Sequence, residues 1–156
     1  MISNGINLRS GSSINELGNI SFYDNLGFAL SLGEDISLSG DLNVDGSCFN
    51  ITADDVILDL NGYNITGSDN GAYRGIQAIG KDNITIMDGL IEWFGKSVFD
   101  GAGIFLEYVD NSVIENIIIS NNAYSLNLFS DSNNNNLYNI TTTLNNGPGI
   151  YLQGNV

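Results

Sequence analysis

The feature that most constrains this chain is a repeat of 28 residues. Asp54-Asp55-Val56-Ile57-Leu58, Asp82-Asn83-Ile84-Thr85-Ile86 and Asp110-Asn111-Ser112-Val113-Ile114 share one layout, ending at positions 58, 86 and 114. Asn133-Asn134-Asn135-Asn136-Leu137 follows 23 residues later with its leading acid replaced. A second column recurs at steps of 28, 22 and 24: Gly75-Ile76-Gln77-Ala78, Gly103-Ile104-Phe105-Leu106, Ser125-Leu126-Asn127-Leu128 and Gly149-Ile150-Tyr151-Leu152. Cys48-Phe49-Asn50-Ile51 opens the same column. Each segment alternates apolar with polar or aromatic residues, the period of a strand with one buried face. Such spacings are lengths for one coil of a solenoid. A single coil cannot bury its own Ile and Leu, whereas a second coil stacked about 4.8 Å away pairs its strands and extends the core.

The expected fold is therefore all-β, a right-handed single-stranded parallel β-helix of about five coils over residues 35–156. Residues 1–34 are expected to form an irregular capping segment and first partial coil. Parallel strands ordinarily need helical crossovers, and no segment here carries a 3.6-residue apolar stripe. Gly and Asn supply the positive-φ bends that other residues resist. Asn83, Asn111 and Asn134, following Asp55, form one column expected to hydrogen-bond from coil to coil, and Asn116 and Asn139 another. Ser13-Ile14-Asn15-Glu16 has the form of a capping box, which predicts a short helical turn over the first coil. No such lid follows the last strand-like segment. Ile150, Leu152 and Val156 are thus expected to present an open end, covered by further coils or by another molecule.

Four Lys and Arg against eighteen Asp and Glu give a net charge of −14, so nucleic acid and anionic membrane surfaces are poor partners. The longest aliphatic run, Ile117-Ile118-Ile119, is far short of the roughly 20 residues of a membrane span. Met1-Ile2-Ser3-Asn4-Gly5 lacks the basic start and apolar stretch of a signal peptide, so the expectation is either a mature chain or a piece cut from a longer one. Cys48 is the one cysteine, which excludes internal disulfides and cysteine zinc sites.

The run from Cys48 to Gly67, with its Asp54-Asp55-Val56-Ile57-Leu58-Asp59-Leu60-Asn61-Gly62 core, and the Asn-rich coils behind it resemble right-handed parallel β-helix repeat proteins. The resemblance is to those related to NosD and to pectate-lyase-like modules, and it covers roughly residues 35–156. It implies secretion or surface display, frequent attachment to larger surface proteins, and sugars as common ligands. The related enzymes act on acidic polysaccharides with a base near calcium, or with clustered Asp assisted by His and Arg. This chain has no His, and its bases are only Arg9, Arg74, Lys81 and Lys96, so no catalytic set carries over. Fold does not transfer function.

Four groups of residues remain as candidate sites. The carboxylates of Asp54, Asp82 and Asp110 should stack, and like charges about 5 Å apart are relieved either by backbone N–H groups at the bend or by a bridging Ca²⁺. The loops 67–75 and 95–103 should adjoin and gather Asp69, Tyr73, Arg74, Lys96, Phe99 and Asp100, a mixture suited to a glycan and equally to a solvated surface ion pair. The outward column of the second strand reads Asn50, Gln77, Phe105, Asn127 and Tyr151, a face that fits a sugar chain, a neighbouring solenoid or plain solvent. Finally, Asn19, Asn50, Asn64, Asn83 and Asn139 each begin an Asn-x-Ser/Thr triplet, a glycosylation acceptor in a suitable host and also the ordinary sequence of a bend entering a strand.

Together these features lead to the expectation of a non-catalytic extracellular structural protein, a surface-layer or fibre subunit stacking end to end with other copies of itself. The alternative is a carbohydrate-binding module without a cofactor. A polysaccharide-degrading enzyme ranks third, because the acid–base groups it needs are scarce.

Overall fold

Parallel strands stack in this chain as a β-solenoid of about five turns, with no helix among the described residues. The structure is a computed structural model and describes residues 6–8, 16–18, 20–22, 28–96 and 101–154. One sheet, here sheet A, has seven strands: Ile6–Leu8, Phe28–Leu32, Ser47–Ile51, Arg74–Ile79, Ala102–Glu107, Tyr124–Phe129 and Ile150–Gln153. Its register follows the second sequence column, with Phe49, Ile76, Ile104, Leu126 and Ile150 as successive partners. The last five strands belong to residues 35–156. The first two carry the same lane back to Ile6, so no change of sheet marks position 34.

Sheet B is built differently in its early and late coils. Ile57–Asp59 pairs with the first half of the eight-residue strand Thr85–Glu92, and Asn64–Thr66 with its second half. Two short strands thus merge into one long bent strand, continued by Val113–Ser120 and Asn136–Thr143. The cause is local. In the earlier coil the corner is a turn through Asn61 and Gly62, at φ 49° and 82°. In the later coils a single left-handed residue suffices: Asp88 at 60°, Asn116 at 54° and Asn139 at 52°. Asn tolerates this conformation better than most residues, and stacking compensates what strain is left. Asn116 Nδ2 donates to Asp88 Oδ1 at 2.8 Å, and Asn139 Nδ2 to Asn116 Oδ1 at 2.9 Å.

Three columns of fully buried side chains fill the interior: Leu58, Ile86 and Ile114; Ile65, Ile91 and Ile119; and Ile76, Ile104 and Leu126. Where the turns dip inward, buried polar side chains satisfy the backbone. Asn122 Oδ1 accepts from Phe94 N at 2.8 Å while its Nδ2 donates to the Ile91 carbonyl at 3.2 Å. Ser112 Oγ accepts from Ile84 N and donates to the Asp110 carbonyl, both at 3.0 Å. A buried backbone N–H needs such a partner, since leaving it unpaired costs as much as a lost hydrogen bond.

One expectation is corrected here. Of the capping box, Ser13, Ile14 and Asn15 lie outside the described residues, and Glu16 opens a short parallel strand with Leu17 instead of a helical turn. Pairing of Glu16 with Ser37 in the stack outweighs the local capping preference.

Candidate functional site

Alternation along sheet A sends Ile76, Ala78, Ile104, Leu106, Leu126 and Leu128 inward, and the residues between them outward. Asn50, Gln77, Phe105, Asn127 and Tyr151 accordingly stand in register on successive coils. Two positions along each strand, Glu107, Phe129 and Gln153 form a parallel row. Gln77 Nε2 donates to Asn50 Oδ1 at 3.3 Å, and the Arg74 guanidinium donates to Gln77 Oε1. That guanidinium also covers the Phe105 ring, 3.6 Å from its centre, a cation–π contact. Phe105 stacks on Phe129 with centroids 5.2 Å apart, Phe129 meets Tyr151 edge to face at 5.5 Å, and Tyr124 lies 6.1 Å from Tyr151. With Pro148, Asn127 and Gln153 these side chains enclose a groove of about 340 Å³, within the size range of small-molecule sites.

Asn127 departs from its neighbours. Other stacked amides find a partner one coil away, as Asn139 does on Asn116 and Gln77 on Asn50. Phe105 below and Tyr151 above interrupt the ladder at Asn127. Its side chain is 5% exposed and its Oδ1 has no hydrogen-bond partner.

The two loops do adjoin: a Cβ placed on Gly95 would come within 2.6 Å of the Gly71 carbonyl oxygen, and one on Gly101 within 2.9 Å of that of Tyr73. Their side chains nevertheless divide. Arg74 joins the groove, whereas Lys96 Nζ donates to Asn121 Oδ1 at 2.9 Å and lies 5.1 Å from the centre of the exposed Trp93 ring. Tyr73 packs against the core, Asp69 is half-buried, and Phe99 and Asp100 lie outside the described residues. Groove residues absent from the sequence expectation are Tyr124, Phe129, Pro148 and Gln153. Phe129 and Gln153 had a readable signal, being two residues beyond Asn127 and Tyr151 on the same strand face.

The acid column stacks as expected, and its carboxylates receive backbone donors. Asp54 Oδ1 accepts from Asp82 N at 3.1 Å, Asp82 Oδ1 from Asp110 N at 3.0 Å, and Asp110 Oδ1 from Asn133 N at 2.6 Å. Among the described residues no three His, Cys, Asp or Glu side chains converge as a metal site. Of the triplets, Asn50 and Asn64 are half-buried and Asn83 and Asn139 are exposed, while Asn19 lies outside the described residues. Asn83 Nδ2 donates to Asp55 Oδ1 at 2.7 Å. Cys48 is buried, and desolvation pushes its thiol pKa well above the usual range.

The final described coil differs from the one beneath it. Leu126 and Leu128 are buried, but their partners Ile150 and Leu152 are 44% and 54% exposed, and Val156 lies outside the described residues. No family model, curated protein or solved structure matches the chain.

Proposed function

We propose that this protein is a non-catalytic extracellular solenoid that binds carbohydrate in the groove on the outer face of sheet A. The observation that carries this reading is the four-ring wall of Phe105, Tyr124, Phe129 and Tyr151 around the amides of Asn127 and Gln153. Aromatic faces bury the C–H surface of a sugar ring, and a few placed polar groups fix its orientation. Among the described residues the groove lining holds no carboxylate and no imidazole, which supports binding without glycosidic cleavage, since hydrolysis needs a carboxyl pair. Sugars as common ligands are also what the resemblance to NosD-related and pectate-lyase-like repeats implies. A glycan array probed with the wild type and with Phe129→Ala tests it. Binding to defined glycans, lost in the variant at unchanged circular dichroism, is expected; binding unaffected by the variant removes the groove from the account.

A second reading, end-to-end stacking into a fibre or surface layer, is favoured by the exposed Ile150 and Leu152. A further coil laid on this edge, from a second copy, would pair the strand and cover both residues. Light scattering across a concentration series tests it: growth of long particles supports stacking, and a constant monomer mass removes it.

A further inference from the structure

We infer that Asn70 is a site of spontaneous covalent modification, its side-chain amide turned to a carboxyl through a cyclic imide closed by the backbone nitrogen of Gly71, while the stacked coils protect Asn61 and Asn146 from the same reaction. Asn-Gly pairs begin at Asn4, Asn61, Asn70 and Asn146, and Asn4 lies outside the described residues. Glycine carries no Cβ to hinder the approach of its nitrogen to the preceding side chain. Asn61, Asn70 and Asn146 are all exposed, so access to water does not separate them. Hydrogen bonding does. Gly62 N donates to the Asp88 carbonyl at 2.6 Å, and Asn61 Nδ2 to the Leu38 carbonyl at 3.0 Å. Gly147 N donates to the Ala123 carbonyl at 2.7 Å, and Asn146 Nδ2 to the Lys96 carbonyl. At both corners the attacking nitrogen and the departing one are tied to carbonyls of other coils, so ring closure waits on local opening of the stack. Neither Gly71 N nor Asn70 Nδ2 has such a partner among the described residues. Ser68 Oγ donates to Asn70 Oδ1 at 2.8 Å, which polarises the amide carbonyl and stabilises the oxyanion formed on addition. A solvent base takes the Gly71 N–H proton, the nitrogen adds to Asn70 Cγ, and the Cγ–Nδ2 bond breaks as ammonia leaves with a proton from solvent. Water then opens the imide at either carbonyl to give aspartate or isoaspartate, so the net change is water consumed and ammonia released, without oxidation. Either product adds a negative charge to the loop 67–75, which enters sheet A at Arg74. The chemistry is independent of any ligand in the groove.

The test holds the full chain in mildly alkaline buffer, native and in parallel in urea, and digests samples at intervals for tandem mass spectrometry, which locates each amide turned to acid. In the native chain Asn70 is expected to be modified at least about tenfold faster than Asn61 or Asn146, the ratio that two hydrogen bonds impose. In urea the three rates should converge. Hydrogen exchange of the fresh chain should show the Gly71 N–H exchanging well ahead of those of Gly62 and Gly147. Asn70→Gln should abolish the reaction at this position, because the longer side chain closes a larger ring more slowly, and Ser68→Ala should slow it. Comparable native rates at the three positions overturn the inference, as does modification of Asn70 in urea but not in the native chain. An unchanged rate in Ser68→Ala overturns the part given to the hydroxyl.

Discussion

Two buried asparagines five residues apart in the chain should respond oppositely to the same substitution. Asn122 is fully buried, receives the Phe94 N–H and donates to the Ile91 carbonyl; Asn127 is nearly as buried, and its Oδ1 receives nothing. Leucine has a similar shape and no polar atoms. Asn122→Leu strands the Phe94 N–H, at about 1–3 kcal/mol, and removes a bond to Ile91 worth about 0.5–1.5 kcal/mol, a loss of roughly 1.5–4.5 kcal/mol. That is a large share of the 5–15 kcal/mol typical of a domain. Asn127→Leu instead relieves an unsatisfied oxygen and is expected to be neutral or stabilising by up to about 1–3 kcal/mol. Urea unfolding followed by circular dichroism reads both, with the midpoint falling for Asn122→Leu and holding or rising for Asn127→Leu at similar slope. Equal destabilisation of the two variants would refute the reasoning, because it would mean that the inner and outer amides play the same part.

Three further outcomes follow from the packing. Gly89→Ala places a Cβ 2.5 Å from Leu60 Cβ and 2.7 Å from the Tyr63 carbonyl oxygen, so overpacking at this corner should cost about 1–3 kcal/mol, read as a lowered thermal midpoint; an unchanged midpoint would show the corner to be slack. Cys48, buried and with its thiol pKa raised, should react with a thiol reagent only on unfolding, and rapid stoichiometric labelling of the native protein would contradict its place in the core. If copies stack, Leu152→Asp should weaken association by burying a charge at the junction, seen as a lower weight-average mass by sedimentation; unchanged association would exclude this end as the contact.

The coils were legible in the sequence because each apolar column is set by a single requirement, that inward residues meet inward residues one coil away; Leu58, Ile86, Ile114 and Leu137 pair in the order their spacing gives. The division of sheet B was not legible. It turns on whether one left-handed residue or a longer turn makes the corner, and Asp88-Gly89 and Asn61-Gly62 look alike in sequence while bending the chain differently. The groove was half legible. Period-two alternation places Phe105, Asn127 and Tyr151 on one face, but the lean of Arg74 over Phe105 and the closure of Phe129 onto both rings depend on side-chain directions that spacing does not carry. Burial of Asn127 was hidden for the same reason: an outward position on a strand reads as solvated until its register neighbours prove to be the aromatic Phe105 and Tyr151.

The most direct test of the account is a heteronuclear magnetic resonance titration of the isotope-labelled chain with neutral oligosaccharides. Shifts in the side-chain amide of Asn127 and the ring signals of Phe105, Phe129 and Tyr151, saturating together, are predicted. Shifts confined to Ile150 and Leu152 on the last described strand, or to Lys96 and Trp93, with Asn127 unmoved, would contradict it.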